Sequence, residues 1–381
     1  MTILVATDSF KESMHSFEAS KAIARGIQEL DSSIHIETLP ISDGGEGSID
    51  ILEELSLGEV VSRSTVDAHH REIEAKFLLF KDKSTCWIEL SQASGLWRIN
   101  PTERDPNVGS TYGTGLLVNY ALELGCTKII LSVGGSATHD LGFGIAEALG
   151  VEFFNSDDQN VRITGGTLGT VTRVSIRNLD PRIQQKKASL TILYDVTNPL
   201  LGPNGASKMY LSQKGANEET VEIFEKRTQR LVSVLKNVSD EAKDSAEGMG
   251  ASGGVPYGLQ VLMGAECQPA FDYFDELLEY ERAVQSNDII LTGEGSIDKQ
   301  TIHGKGPGRI LQYAHRYQKP SIVFAGLIKD RELLEAHFPK TTFVSISPPA
   351  MDLIESIKRG PSLLQSATKK VLSTYIPKHG T

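Results

Sequence analysis

The chain has 381 residues, 39% hydrophobic and 23% charged, an ordinary globular composition too long for one average core, so two domains are expected. A net charge of −11, from 38 Lys+Arg against 49 Asp+Glu with no compact basic run, argues against nucleic acid and anionic membranes as partners. Cys86, Cys126 and Cys267 form neither a C-x-x-C pair nor a zinc-spaced cluster, and no stretch approaches the ~20 apolar residues of a membrane span.

In chain order, residues 3–6 form a short apolar run that opens into Asp8-Ser9-Phe10-Lys11. The spacing of Phe17, Ile23, Ile27 and Leu30 predicts a helix from about Ser16 with those residues inward. With no basic n-region and an acid by position 8, this start reads as a buried strand rather than a signal peptide, and with the sparse thiols it points to a cytoplasmic protein. Residues 34–39 repeat the pattern, leading to Asp43-Gly44-Gly45-Glu46-Gly47 and a helix carrying Ile49, Leu52 and Leu55.

Then the texture changes. Segments 60–66, 73–80 and 85–90 are β-type without helices between them and predict antiparallel hairpins. A helix with Leu116, Leu117, Tyr120, Ala121 and Leu124 precedes a buried strand at 129–131, and residues 218–243 read as a long helix. Strand–loop–helix units return at 289–291, 322–325 and 343–346. The simplest assembly is α/β: a doubly wound parallel-sheet domain from residues 1–60 and 286–381, interrupted by a mixed α/β domain at 61–285.

Five polar loops follow predicted strands, the edge at which open α/β sheets bind ligands. Asp8, Ser9 and Lys11 offer an acid, a hydroxyl and an amine, or else a helix cap beside a solvated lysine. Asp43 and Glu46 with their glycines suit Mg²⁺ or a carboxylate, and equally a turn at a helix N-terminus. Gly134-Gly135-Ser136-Ala137-Thr138-His139-Asp140 puts small residues and hydroxyls before a helical run, the arrangement of a phosphate cradle. His139 and Asp140 form an acid/base pair, or face different ways. The fourth loop, 195–206, brings Asp195 and Asn198 as hard ligands or a base for a hydroxyl, although Asn-Pro and Asn-Gly are ordinary turn formers. A glycine-rich companion lies at 248–254. In the fifth loop Glu294 and Asp298, four residues apart, suggest a metal or substrate clamp, with Lys305 as a phosphate-neutralising or merely solvated charge. No P-loop, protein-kinase glycine loop or G-x-G-x-x-G after the first strand is present, and a metal here is expected to be a hard ion on oxygen.

As an ordered set, Asp8-Ser9-Phe10-Lys11, Asp43-Gly44-Gly45-Glu46-Gly47, Glu89-Leu90-Ser91-Gln92-Ala93-Ser94-Gly95-Leu96, Gly134-Gly135-Ser136-Ala137-Thr138, the 195–205 loop and Thr292-Gly293-Glu294-Gly295 through Lys305 resemble the bacterial class I glycerate kinase family. The resemblance spans roughly residues 3–326. It implies ATP- and Mg²⁺-dependent phosphorylation of D-glycerate, to 2-phosphoglycerate, in a cleft between a flavodoxin-like domain and an inserted second α/β domain. On that basis Gly134, Gly135, Ser136 and Thr138 are expected to bind the nucleotide. Asp195 is expected as base with Asp43 second, while Lys11 and Lys305 serve the substrate carboxylate or the transferring phosphoryl group. Asp8, Ser9, Glu46, Asn198 and His303 line the substrate, and Glu294 and Asp298 take the metal. A kinase for another short hydroxy acid or sugar acid, or a noncatalytic metabolite sensor, are the alternatives; a homo-oligomer is compatible with either. The sequence departs from the family pattern at His139 (for Asn), Leu141 (for Gly) and Ser296 (for Arg), and 252–257 is less glycine-rich at its end.

Overall fold

A computed structural model describes residues 1–42, 44–239, 243–302, 304 and 306–375. In chain order its strands are β1 (Thr2–Thr7), β2 (His35–Thr38), β3 (Gly58–Val66), β4 (Glu72–Phe80), β5 (Thr85–Glu89), β6 (Lys128–Ser132), β7 (Glu152–Phe154), β8 (Arg173–Ser175), β9 (Ser189–Tyr194), β10 (Glu266–Pro269), β11 (Ile289–Ile297), β12 (Ser321–Ile328) and β13 (Thr341–Ser345). They divide between two units, Met1–Asp43 with Phe271–Thr381, and Gly44–Ala270. No described helix is long and apolar enough to cross a membrane.

In the first unit the sheet order is β13-β12-β11-β1-β2, with every neighbouring pair parallel. Counted within the unit this is 2-1-3-4-5, the flavodoxin-like order. Central parallel strands are covered on both faces, so their residues are apolar without alternation: Ile3, Leu4, Val5 and Ala6 are all fully buried. On one face Ile3, Val5 and Leu291 pack with Ile23, Ile27 and Leu364; on the other Val323 and Ala325 pack with Leu311, Leu334 and Phe338. The helix Ser16–Leu30 starts where its periodicity predicts, although Phe17 is only partly buried and carries Lys21 Nζ 4.1 Å above its ring. Close packing against the helix Gly360–Tyr375 depends on Gly26, where a Cβ would stand 2.6 Å from the Gln365 carbonyl oxygen.

The second unit holds a mixed sheet ordered β10-β9-β6-β5-β4-β3. Strands β10, β9, β6 and β5 are parallel, while β5–β4 and β4–β3 are the antiparallel pairs expected between 60 and 90. A small β7–β8 ribbon lies apart from that sheet. One continuous core joins Phe77, Ile88 and Leu131 of the sheet to Leu117, Phe143, Leu231 and Leu259 of its helices.

The joins fall at 43/44 and 270/271, where the sequence suggested 60 and 286. The helix Ser48–Glu54 packs on β3, β4 and β5, and so belongs to the second unit. Conversely, Tyr280 stacks on Phe271 and donates its hydroxyl to the Pro40 carbonyl, while Arg309 reaches Asp272, which draws residues 271–286 into the first. The helix Glu218–Leu235 also stops short of 243: the N–H groups of Val238 and Ser239 turn back onto the Leu235 carbonyl and Val238 folds onto the core.

Gly113 near the start of the helix Tyr112–Glu123 tests the packing of the second unit, because a Cβ there would lie 1.8 Å from the Val66 carbonyl oxygen. Backbone cannot retreat cheaply, so Gly113→Ala is expected to cost about 3 kcal/mol in thermal unfolding of that unit. A melting curve superimposable on the wild type would contradict this packing.

Candidate active site

Because β5, β6 and β9 run parallel, the loops after Glu89, Ser132 and Tyr194 leave one edge of the second sheet. The 134–138 loop is pinned on its way out: Ser136 bridges to Gly95, and Ala137 N–H donates to the Ser94 carbonyl at 2.8 Å. Gly134 lies so close to Gly45 that a Cβ would stand 2.6 Å from the Gly45 Cα. The first two glycine-rich loops of this unit, ninety residues apart in sequence, therefore share one place. Around them the buried hydroxyls of Ser91, Ser132 and Thr138 have no hydrogen-bond partner among the described residues. Buried polar atoms normally find partners, so this edge has donors to offer an oxygen-rich ligand.

Beneath the loop lies Lys214, only 2% exposed. Its Nζ donates to the Thr138 carbonyl at 2.6 Å and to Ser136 Oγ at 2.8 Å. Burial pulls its pKa down to about 7, against a smaller upward pull from Asp140. Glu89, 1% exposed at the end of β5, accepts from Ile49 N–H at 2.8 Å and Gln92 Nε2 at 3.2 Å. Burial outweighs those bonds and raises its pKa to about 7.

The 248–254 segment is wedged between the third and fourth loops. Gly250 N–H donates to the Asn198 carbonyl at 2.9 Å, and a Cβ on Gly253 would stand 2.7 Å from the Thr138 carbonyl oxygen. Within the fourth loop the Asn198 side chain donates to the Asn204 carbonyl at 2.9 Å and accepts from the Tyr210 hydroxyl. Asp195 is exposed at its mouth; burial first, and the Asp195 charge second, push the Tyr210 pKa up. Gly134, Gly135, Ser136, Thr138, Asp195 and Asn198 thus stand on loops of one sheet edge, with Glu46 exposed on the adjoining 44–47 loop.

In the first unit the strand order reverses between β1 and β11, which opens a crevice at their carboxyl ends. Asp8 N–H donates to the Gly293 carbonyl at 2.9 Å, and a Cβ on Gly295 would stand 3.2 Å from the Lys11 nitrogen. Gly306 approaches Asp8 closely enough that a Cβ would meet Oδ2 at 2.7 Å. The crevice therefore gathers Asp8, Ser9, the exposed Lys11 and Glu294. Asp8 and Ser9 do not cap the following helix, which begins seven residues later at Ser16. Asp43, His303 and Lys305 lie outside the described residues.

One expectation is corrected, and one open alternative is decided. Glu294 and Asp298 do not form a clamp: β11 continues to Ile297, paired with β12 at Ser296↔Leu327, so the segment is a strand and not a loop. At ~3.3 Å per residue their Cα atoms are about 13 Å apart, too far for one small ion. Asp298 instead accepts from Gln300 N–H at 2.7 Å at the start of the helix Lys299–Ile302. His139 and Asp140 are both fully buried but face different partners. His139 Nε2 lies 3.4 Å from Ser207 Oγ with its ring edge-on to Phe224, and burial, reinforced by Lys214, drops its pKa to about 3. Asp140 accepts from Thr111 and from the Gly142 and Gly144 N–H groups. Leu141 then takes φ 56°, the left-handed conformation that glycine adopts without strain.

A sequence model of the glycerate kinase family matches residues 3–376. The chain belongs to the glycerate kinase family. Glycerate kinase of Halalkalibacterium halodurans is 34% identical over 371 residues, 97% of each chain. The Escherichia coli glycerate 2-kinase is 34% identical over 330 residues, 87% of this chain and 86% of its own. The crystal structure of a candidate glycerate kinase 2 from Salmonella typhimurium LT2 has a TM-score of 0.81 at 30% identity, over 98% of both chains. This family member is thus an α/β enzyme, and its mixed second sheet belongs to the same fold.

Sequence reasoning missed Lys214 altogether and gave Glu89 no role. Gln213-Lys214-Gly215 reads like any solvated turn, so no local signal marks the lysine as buried. Glu89 carried one: an acid directly after the apolar run Cys86-Trp87-Ile88, with Leu90 and then the small-residue stretch 91–95 behind it, is a buried acid at a sheet edge.

Glu89 gives the site a pH signature. Between its ordinary 4.5 and about 7 the folded chain keeps a proton that the unfolded chain has lost, so its contribution to stability falls as pH rises through that window. The Glu89 contribution is worth up to roughly 3 kcal/mol across the window; buried neutral His139 opposes it below pH 6.5, so Glu89→Gln should make stability rise more steeply, or fall less, with pH than in the wild type. Denaturant titrations showing the same slope in wild type and variant would contradict the buried, protonated acid.

Proposed function

We propose that this glycerate kinase family member transfers the γ-phosphoryl group of ATP to the 2-hydroxyl of D-glycerate, giving 2-phosphoglycerate. The observation that carries the reading is membership along nearly the whole chain, 3–376, by a protein whose 134–138 loop is donor-rich and backed by a buried lysine.

In this reading the N–H groups of Gly134, Gly135 and Ser136, with the Ser136 and Thr138 hydroxyls, hold the phosphate tail. Asp195 accepts the proton of the 2-hydroxyl as it attacks, with Asp43 second in line. Asn198 orders the loop that carries Asp195. Lys11 and Lys305 neutralise the glycerate carboxylate or the phosphoryl group in flight, and Asp8, Ser9, Glu46 and His303 complete the substrate's polar surroundings. Phosphoryl transfer asks for positioning and charge more than covalent chemistry, and such a set supplies both.

Among the described residues there is no group of three acids, histidines or cysteines able to cage a metal. Mg²⁺ carried by the nucleotide keeps its waters and takes one or two carboxylates, of which Glu294 would be one. When bound, the ion neutralises phosphate charge. The few buried thiols and acidic surface suit a cytoplasmic enzyme.

A coupled ADP-release assay with MgATP should show turnover selective for D-glycerate over L-glycerate, glycerol and sugar acids. No turnover with D-glycerate defeats the reading, and preference for a sugar acid moves it to a different hydroxy-acid kinase. Asp195→Asn should lower kcat by about 10²–10⁴ while glycerate still binds, and unchanged kcat would remove Asp195 from the role of base.

A further inference from the structure

Lys214 is a buried cation with no carboxylate at ion-pair distance among the described residues. The nearest acid acting on it, Asp140, spends its hydrogen bonds on Thr111, Gly142 and Gly144. His139 beside it is neutral, and Arg104 donates to the Gln213 carbonyl at 3.3 Å, adding another cation nearby. The lysine cannot swing out to water. It ends the one-turn helix Ser212–Lys214, and Gly215 after it, at φ 96°, is pressed so tightly on the Arg104 carbonyl that a Cβ would stand 2.0 Å from that oxygen. An ammonium group held in a dry interior costs several kcal/mol unless an anion meets it.

The hydrogen-bond chemistry shows where that anion belongs. Charged, Lys214 only donates, so Ser136 Oγ, 2.8 Å away, then accepts from it. The serine's own proton is thereby directed elsewhere, to the next acceptor. The second Lys214 bond, to the Thr138 carbonyl at 2.6 Å, holds the other end of the same loop.

We propose that Lys214 is a positioning residue for an anionic ligand of the 134–138 loop, fixing Ser136 as an obligate donor to that anion and supplying its counter-charge from behind. Resting on the kinase reading above, the anion is the triphosphate tail of ATP. No contact between Lys214 and the nucleotide is needed; the charge reaches it through the Ser136 hydroxyl and the loop's N–H groups. A neutral lysine would leave the loop's shape but lose that polarisation, so the binding of a polyanion and the protonation of Lys214 are linked.

The test is a double-mutant cycle on kcat/KM for ATP and on ATP affinity, using Lys214→Met, Ser136→Ala and the combination, with melting curves as the folding control. Each single variant should lose about a hundredfold in kcat/KM, and the double no more than the worse single, because both remove one donor path. Losses that multiply, or a single variant within about threefold of wild type, overturn the proposal. Where Lys214→Met does not fold, proton uptake decides. Wild-type protein binding ATP at about pH 8 should take up close to one proton as Lys214, held near 7 when free, recharges; no uptake overturns the proposal. ATP binding with this dependence but no turnover of any hydroxy acid would defeat the kinase reading and leave Lys214 in place. Turnover of D-glycerate indifferent to both variants would do the reverse.

Discussion

Four hydrogen bonds converge on the buried carboxylate of Asp140: Thr111 N–H at 2.7 Å, Thr111 Oγ1 at 2.8 Å, Gly142 N–H at 3.2 Å and Gly144 N–H at 3.3 Å. They tie the start of the helix Tyr112–Glu123 to the start of the helix Phe143–Ala148. Burial raises the Asp140 pKa and these donors oppose the rise. The consequence is mechanical as much as electrostatic. The 134–138 loop leaves β6 at one end and is anchored at Asp140 at the other, so Lys214 and Gly253 press on a segment that cannot drift. Donors aimed at an anion are worth most when nothing must reorganise to use them, and a loop fixed at both ends meets that condition.

The same logic accounts for glycine usage. Gly134 lies against Gly45, Gly250 against Pro199 and Gly253 against Thr138, each close enough that a methyl group would collide with backbone. These are places where one loop's backbone is stacked on another's, and only a residue without Cβ allows it. Leu141 is the exception: a buried leucine in the left-handed region, next to the Asp140 anchor that holds it there.

Much of this was legible in the sequence. The parallel strands announced themselves as short apolar runs ending in polar loops, and the hairpins as consecutive β-type segments, because burial on one or two faces writes itself into residue order. The loops 134–140 and 195–206 were visible for the same reason: they interrupt apolar elements with glycine and hydroxyls. Other features depend on tertiary placement. Nothing local distinguishes Lys214 from a surface lysine, since its burial comes from Ser136 and Thr138, more than seventy residues away. Glu294 and Asp298 misled because a glycine-rich string read as a loop is in fact a strand paired to β12. His139 and Asp140 are neighbours in sequence whose side chains are claimed by different helices.

A net charge of −11 leaves no global field to attract a polyanion, so any phosphate must be held by local, buried donors. In this account the 134–138 loop and Lys214 behind it are those donors. The most direct test is a crystal structure with a non-hydrolysable ATP analogue. The account predicts a phosphate oxygen within hydrogen-bond distance of Ser136 Oγ, with Lys214 still bonded behind it. A triphosphate seated on other loops, with Ser136 in contact with no part of it, would contradict it.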